Sequence, residues 1–290
     1  MPSSPYADLS RPPLAARALQ RALVVPGGFW RQLDVVAETG STNADVVRAA
    51  GAGAGEGLVV VAEQQVAGRG RRDRQWVSPP RAGLTLSVLL RPGAADAGRG
   101  WAPAPQRTWG WLPLLTGVAL LEAVRRVSDL DVALKWPNDL LVSPAEDRSY
   151  GKAAGILAEA SGDAVVVGIG LNVSTKAAEL PPTNGFPATS LLVAGATDTD
   201  RDPLLRALLR GVAQWYLGWR EAGGDAEMCG LLTAYRRECS TIGRDVRVLL
   251  PGGGELLGAV TDVDGEGQLV IRSADGAENR VSAGDVLHVR

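Results

Sequence analysis

The sequence predicts a mixed α/β (α+β) protein: a largely antiparallel sheet with flanking helices, followed by a small C-terminal β-barrel of the SH3-like kind. Three observations point there. Strand-like runs at 132–136, 140–142, 154–159 and 164–169 follow one another through short connections, which favours antiparallel pairing and argues against a doubly wound parallel sheet. Stretches at 109–127, 201–219 and 226–238 read as helices. From Thr241 onward, short runs at 246–250, 256–260, 268–271 and 279–281 alternate with Gly-rich turns, the pattern of four or five strands in a small barrel.

Taken in order, residues 1–29 are rich in Pro, Ala and Arg and read as a flexible arm or a surface cap, with a short helix expected over 14–23. Leu33-Asp34-Val35-Val36 reads as a strand, and Gly40-Ser41-Thr42-Asn43 as a turn into a helix over 44–50, with Ser or Thr as the cap. The tract 51–57 alternates Gly and Ala like a dinucleotide fingerprint. It lies after a helix and before a strand, however, the reverse of the order that motif requires. Residues 58–62 and 84–90 are strands, and 92–106 is a low-complexity loop. Pro113 interrupts the 109–127 stretch and Glu122, Arg125 and Arg126 lie near its end, which suits a packed helix better than a membrane span. The expected division is an arm at 1–29, a main domain at 30–238 and the barrel at 239–290.

With 290 residues, 46% of them hydrophobic, the chain is long enough for a large and a small core. A formal net charge of −2 argues against a general nucleic-acid binder, whose affinity comes from a basic excess. The two cysteines, Cys229 and Cys239, have no metal-ligand spacing, so neither a disulfide framework nor a protein-held metal site is expected. The N-terminus has no continuous apolar stretch before a small-residue cleavage site. A cytoplasmic protein is the expectation.

The segment Gly68-Arg69-Gly70-Arg71-Arg72 places three guanidinium groups on a backbone that two glycines leave free to bend. It follows an apolar strand, and its donors suit a phosphate or carboxylate. Taken alone it is either an anion trap or a solvated basic turn. Of thirty Lys and Arg residues only Lys135, Lys152 and Lys176 are lysine, a skew that base composition explains. Two of the three sit in dense motifs, where a compact ammonium is not interchangeable with a guanidinium plane.

Five motifs then occur in order: Ser41-Thr42-Asn43; Glu63-Gln64-Gln65 leading into Gly68-Arg69-Gly70-Arg71-Arg72 and Trp76; Lys135-Trp136-Pro137-Asn138-Asp139; Gly151-Lys152-Ala153-Ala154-Gly155-Ile156; and Gly168-Ile169-Gly170-Leu171-Asn172. Individually these could be a helix cap, a basic turn, a core aromatic before a turn, a surface charge and an ordinary hairpin. Together, from about Trp30 to the end, the chain closely resembles the biotin protein ligases, the biotin–[acetyl-CoA-carboxylase] ligases.

That resemblance implies that residues 30–238 are a catalytic domain that joins biotin to ATP, releases pyrophosphate, holds biotinyl-5′-AMP and transfers biotin to one lysine of a biotin carboxyl carrier domain. It implies ATP and Mg²⁺ as cofactors, with biotin as substrate. Ser41, Thr42, Asn43, Gln65, Arg69, Gly70, Arg71 and Lys152 would contact biotin, and Arg71, Arg72, Trp76, Lys135, Asn138 and Asn172 the nucleotide. Lys152, Arg69, Arg71 and Lys135 would carry catalysis, since two anions can approach only with cations between them. Asp73 departs from the family loop, which usually continues with Gly; an acid there could pair with Arg72 or Arg74. No room is found ahead of Trp30 for the winged helix-turn-helix of bifunctional members, so no DNA binding is expected. A monomer or weak homodimer away from membranes completes the expectation.

Competing readings are narrower. No Gly-x-x-x-x-Gly-Lys-Ser/Thr occurs for a P-loop nucleotidase. A Ser/His/Asp hydrolase would have to use His288, the only histidine, expected inside the barrel. A lipoate ligase shares the chemistry, but the Arg loop and the Lys135–Asp139 motif favour biotin. A nucleic-acid-binding module built from the Arg loop and the barrel leaves Lys135 and Lys152 unexplained.

Overall fold

The computed structural model describes residues 10–72, 74–144, 147, 149–182, 185–250 and 252–289. Its elements are α1 (Ala16–Leu23), β1 (Gln32–Val36), α2 (Thr42–Gly51), β2 (Leu58–Ala62), β3 (Gly83–Leu90), α3 (Trp111–Val127), β4 (Asp131–Lys135), β5 (Asp139–Ser143), β6 (Gly151–Ser161), β7 (Ala164–Asn172), α4 (Arg201–Glu221), α5 (Leu231–Glu238), β8 (Asp245–Leu249), β9 (Glu255–Val263), β10 (Leu269–Arg272), β11 (Glu278–Val281) and β12 (Asp285–His288). Seven strands form one sheet in the order β1-β2-β3-β7-β6-β5-β4. Only the β1–β2 pair is parallel, because α2 supplies the crossover between them; every other pair is antiparallel. The fold class is therefore the mixed, largely antiparallel sheet that the strand spacing implies.

The two faces of this sheet are used differently. Val59, Val61, Leu84, Leu86, Val88, Val165, Val167, Ile169 and Leu171 join one continuous core with α1, α3, α4 and α5. On the other face α2 covers only one end, where Val46 packs on Leu58, Val60, Leu89, Ala164 and Val166. The register continues that second face through Ser87 opposite Gly168, and Thr85 opposite Gly170, itself opposite Gly155. Strand alternation thus leaves a row of small residues uncovered beside α2. Its glycines, Gly155, Gly168 and Gly170, form the floor of the cavity described below.

Local sequence explains most boundaries. Pro113 falls in the first turn of α3, where a missing N–H breaks no helical bond. The last helix starts later than expected, at Leu231, because Gly230 takes a left-handed conformation (φ +78°) that ends the preceding turns. The Gly168–Gly170 segment is not a hairpin turn: both glycines lie inside β7, and the β6–β7 turn is made at Gly162.

The second sheet runs β11-β10-β9-β8-β12, all antiparallel. Its inner residues Val246, Val248, Val260, Val263, Leu269 and Ile271 belong to the same continuous core as α3. Two buried indoles stitch it to the main sheet: Trp111 Nε1 donates to Gly265 O at 2.8 Å and Trp136 Nε1 to Gly267 O at 3.0 Å. Ser240 N donates to Leu134 O at 2.7 Å, fixing the chain where it passes from one sheet to the other.

From Ser10 onward the N-terminal segment is packed. Leu19 and Leu23 of α1 are buried, and Gln20 Nε2 donates to Leu33 O of the edge strand β1. Arg11 pairs with Glu179 at 2.6 Å. Arg201, at 5% side-chain exposure, reaches Glu63 at 2.7 Å, Gly83 O at 3.2 Å and Pro12 O at 2.6 Å, while Glu63 accepts from Leu14 N at 2.6 Å. This buried pair ties α4 and the N-terminal segment to the end of β2. Removing one partner of such a pair strands the other. Arg201→Met is expected to lower unfolding free energy by about 3–5 kcal/mol, read as a reduced urea midpoint at unchanged slope; a loss below about 1 kcal/mol would show the pair to be incidental.

Candidate active site

A cavity of ≈ 1570 Å³ opens between the uncovered half of the main sheet, the arginine loop and β12. That is larger than the space one small ligand ordinarily occupies, and it admits two substrates side by side. Its ends differ in chemistry.

At the end nearest α2 the polar groups bond to one another, and apart from Glu159, with Arg69 3.8 Å from it, they are neutral. Ser41 is the N-cap of α2, so Thr42 and Asn43 sit in the first turn, facing the sheet, and both are buried. Gln65 Oε1 accepts from Thr42 N at 2.8 Å and from Thr42 Oγ1 at 3.0 Å. The Ser87 hydroxyl lies 2.7 Å from Thr42 Oγ1 and 2.5 Å from Asn43 Oδ1. Asn43 Nδ2 donates to Glu159 Oε2 at 2.7 Å. The glycines of β7 permit this approach. A Cβ on Gly168 would lie 2.0 Å from Asn43 Oδ1, and one on Gly170 2.4 Å from the Trp76 ring, so Asn43 can approach the sheet only because Gly168 is bare, and the indole only because Gly170 is.

At the other end the groups are cationic. Lys152, near the start of β6, contacts Asp139 at 2.6 Å, and Lys135 stands 3.9 Å from the second oxygen of that carboxylate. Arg71 donates to Asn138 Oδ1 at 3.2 Å, and Asn138 in turn donates to Ile156 O at 3.0 Å. Burial pushes the Lys135 ammonium below its ordinary value against the pull of Asp139. Burial likewise lowers Arg71, against Asp285 and Asp139. Both cations are thus under-solvated and poised to gain from an incoming anion.

The arginine loop is a tight hairpin. Arg69 bridges to Gln75, Gly70 N donates to Arg74 O at 2.6 Å, and Trp76 N donates to Gly68 O at 3.0 Å. Arg72, with φ +54°, sits at its tip. Arg72 and Arg74 both pair with Asp285 of β12. Asp73, expected as a partner for these arginines, lies outside the described residues.

Ser41, Thr42, Asn43, Gln65, Arg69, Gly70, Arg71, Trp76, Lys135, Asn138, Lys152 and Asn172 all line this single cavity. Asn172 is held by Thr189 O at 3.0 Å. Arg72 does not line the cavity, since its guanidinium turns to Asp285 at 3.3 Å. His288 lies in the small barrel, at the end of β12, and there it faces the cavity, edge-on to Phe186 with ring centroids 5.5 Å apart. Burial, with Lys135 and Arg244 adding, pushes its imidazole down to about 4, so it is neutral at pH 7. Its ring nitrogen meets the Thr241 hydroxyl at 3.4 Å, which is no charge-relay arrangement.

Sequence reasoning passed over Ser87, Asp139, Glu159 and Asp285. Asp139 stands within a motif already singled out. Ser87 carried a signal too: with Thr85 it breaks an otherwise apolar strand at period two, which marks a polar row on one face. Asp285 carried none, because its partners are more than two hundred positions away.

Residues 51–174 match the biotin/lipoate A/B protein ligase family, and residues 241–289 match the biotin protein ligase C-terminal domain. The chain is 42% identical over 287 residues to the biotin–[acetyl-CoA-carboxylase] ligase of Mycobacterium tuberculosis, covering 98% of each chain. It is 31% identical over 220 residues to the bifunctional ligase/repressor BirA of Escherichia coli, covering 74% of this chain and 61% of that one. The solved structure of a biotin protein ligase from Aquifex aeolicus in complex with biotin and ATP is similar at TM-score 0.69 and 26% identity, over 90% of this chain and all of that one. With the two sheets, the polar-to-cationic cavity and a relative matched along nearly its whole length, the chain belongs to the biotin protein ligase family.

Proposed function

We propose that this chain is an ATP-dependent biotin–[acetyl-CoA-carboxylase] ligase. The observation that carries the reading is the pairing of a neutral, hydrogen-bonding end with a cationic end in one cavity across a glycine floor. Biotin has a ureido ring at one end and a carboxylate at the other. Thr42, Asn43 and Gln65, backed by the buried Ser87 hydroxyl, offer donors and acceptors for the ring. The dithiolane of lipoate carries no N–H or carbonyl and would gain no hydrogen bond from them.

The carboxylate would then point toward Arg69, Arg71 and Lys152, and the triphosphate would lie along Lys135, Asn138 and Arg71, with Trp76 and Asn172 beside the adenylate. In the first step a carboxylate oxygen attacks the α-phosphorus; the bond to the β-phosphate oxygen breaks and pyrophosphate leaves with that electron pair. In the second, the neutral amine of a carrier lysine attacks the acyl carbon, and AMP leaves with the acyl–oxygen pair. The protein's part is to hold the reactants in line and to stabilise charge developing at phosphorus.

Magnesium is proposed to enter on the nucleotide. Among the described residues no group of three or more His, Cys, Asp or Glu side chains could hold an ion alone. Asp139 or Asp285 would contribute at most a carboxylate to a shell made mainly of phosphate oxygens and water. The ion would supply neutralisation of the departing pyrophosphate. The proposed partner is a biotin carboxyl carrier domain, and the setting the cytoplasm; no helix among the described residues is long and apolar enough to cross a membrane. A monomer or weak homodimer is the proposed state.

Biotin-dependent exchange of labelled pyrophosphate into ATP tests the reading. Exchange is expected with biotin and not with lipoate, and Lys152→Ala is expected to reduce it by about 10²–10³-fold. Exchange with lipoate or octanoate in preference to biotin would move the chain to lipoate chemistry, and none with any acid would overturn the enzyme reading. Ser87→Ala should act at the other end: KM for biotin rises by about five- to a hundredfold through the unpaired Asn43 and Thr42, with kcat little changed. Equal losses in kcat and kcat/KM would place the ring elsewhere.

A further inference from the structure

The proposed reaction uses Arg69 and Arg71 of the loop, whose base is held by Val66 N to Thr39 O at 3.0 Å, Ala67 N to Gly40 O at 2.9 Å and the Trp76 ring over Gly170. Arg71 reaches Asn138 at 3.2 Å and Arg69 lies 3.8 Å from Glu159, but these contacts do not hold the tip that carries Arg72 and Arg74. Val66 and Val77, which flank it, are exposed at 63% and 61%, so the flanks supply little apolar anchoring. The hairpin's own bonds define its shape but not its tilt over the cavity. A tilt of about 1 Å is enough to cost a hundredfold in rate where a cation must meet a developing charge.

The restraint comes from the second sheet. Asp285 opens β12, paired with Leu249 of β8. Its carboxylate is 14% exposed and receives both Arg72, at 3.3 Å, and Arg74. One acid thus takes two guanidinium groups from the tip of the hairpin, and charge-assisted bonds of this kind fix orientation as well as distance. The platform behind Asp285 is rigid, because the Trp111 and Trp136 indoles and the shared core bind that sheet to the main one. Asp285 also lines the cavity, alongside Arg71 and Arg74.

We propose that Asp285 is a positioning residue for the first half-reaction: by clasping Arg72 and Arg74 it holds the hairpin closed over the cavity and aims Arg71 at the nucleotide phosphates. Arg72 and Arg74 then serve the loop's placement and do not themselves meet the substrate. The inference rests on the ligase reading and assigns the C-terminal sheet a part in it.

The test uses the full chain with Asp285→Asn, Asp285→Glu, Arg74→Asp and the exchanged pair Arg74→Asp/Asp285→Arg. In biotin-dependent pyrophosphate exchange, Asp285→Asn is expected to raise KM for Mg·ATP by about ten- to a hundredfold with a smaller change in kcat. Asp285→Glu should keep most of the wild-type value, and the exchanged pair should recover activity that Arg74→Asp alone loses. Limited trypsin digestion gives a readout independent of catalysis: Asp285→Asn should speed cleavage between Arg69 and Arg74 at temperatures where its circular dichroism matches wild type. Wild-type KM and an unchanged cleavage rate in Asp285→Asn would overturn the proposal, and so would a lower KM, which would make the carboxylate a competitor of the phosphates. If the wild type itself shows no biotin-dependent exchange, the ligase reading fails, while the digestion rates still decide whether Asp285 holds the loop.

Discussion

The cationic end of the cavity depends on Asp139, with Asp285 adding to it for Arg71 and Lys135. Arg71, Lys135 and Lys152 converge where burial already works against the charges of Arg71 and Lys135. Two like charges about 4 Å apart repel by about 4 kcal/mol at an effective dielectric of 20, so such a cluster needs a counter-charge until its ligands arrive. Asp139 supplies it, held between Lys152 and Lys135 at the start of β5. The remaining under-solvation is stored attraction for anions. It favours bringing together a carboxylate and a triphosphate that would repel each other in water.

Everything around that cluster follows from the uneven covering of one sheet. The face under α3 and α4 is a continuous apolar core and fixes the strands. The other face is half covered by α2, whose first turn rests on Ser87, and beyond it the sheet presents Gly168, Gly170 and Gly155 in register. Small residues there let Asn43 and the Trp76 indole approach the backbone of the sheet. The same absence of side chains that weakens a strand locally makes room for a flat ligand.

Much of this was legible in the sequence. The α2 cap, the antiparallel run from β4 to β7 and the Gly-rich strands after Thr241 each carry local signals that tertiary packing did not override. Local signals also erred at the ends of elements: Gly230 delays α5, and the strand expected over 164–169 runs on through Gly170 to Asn172. At the candidate site, residue type and motif order found both ends of the cavity. They did not find the bonds between elements. Glu159 with Asn43, Ser87 with Thr42 and Asp285 with Arg72 join segments far apart in the chain, and no periodicity announces them.

The central claim is that one cavity holds the ureido ring at its neutral end and the acyl-phosphate junction at its cationic end. A crystal structure of the chain with a non-hydrolysable biotinyl-adenylate analogue tests it most directly. The account predicts the bicyclic ring in hydrogen-bond contact with the Thr42–Asn43–Ser87–Gln65 group, and the phosphate in contact with Lys152 and Arg71 beneath the closed hairpin. A reversed analogue, or one whose phosphate meets neither cation, would contradict it.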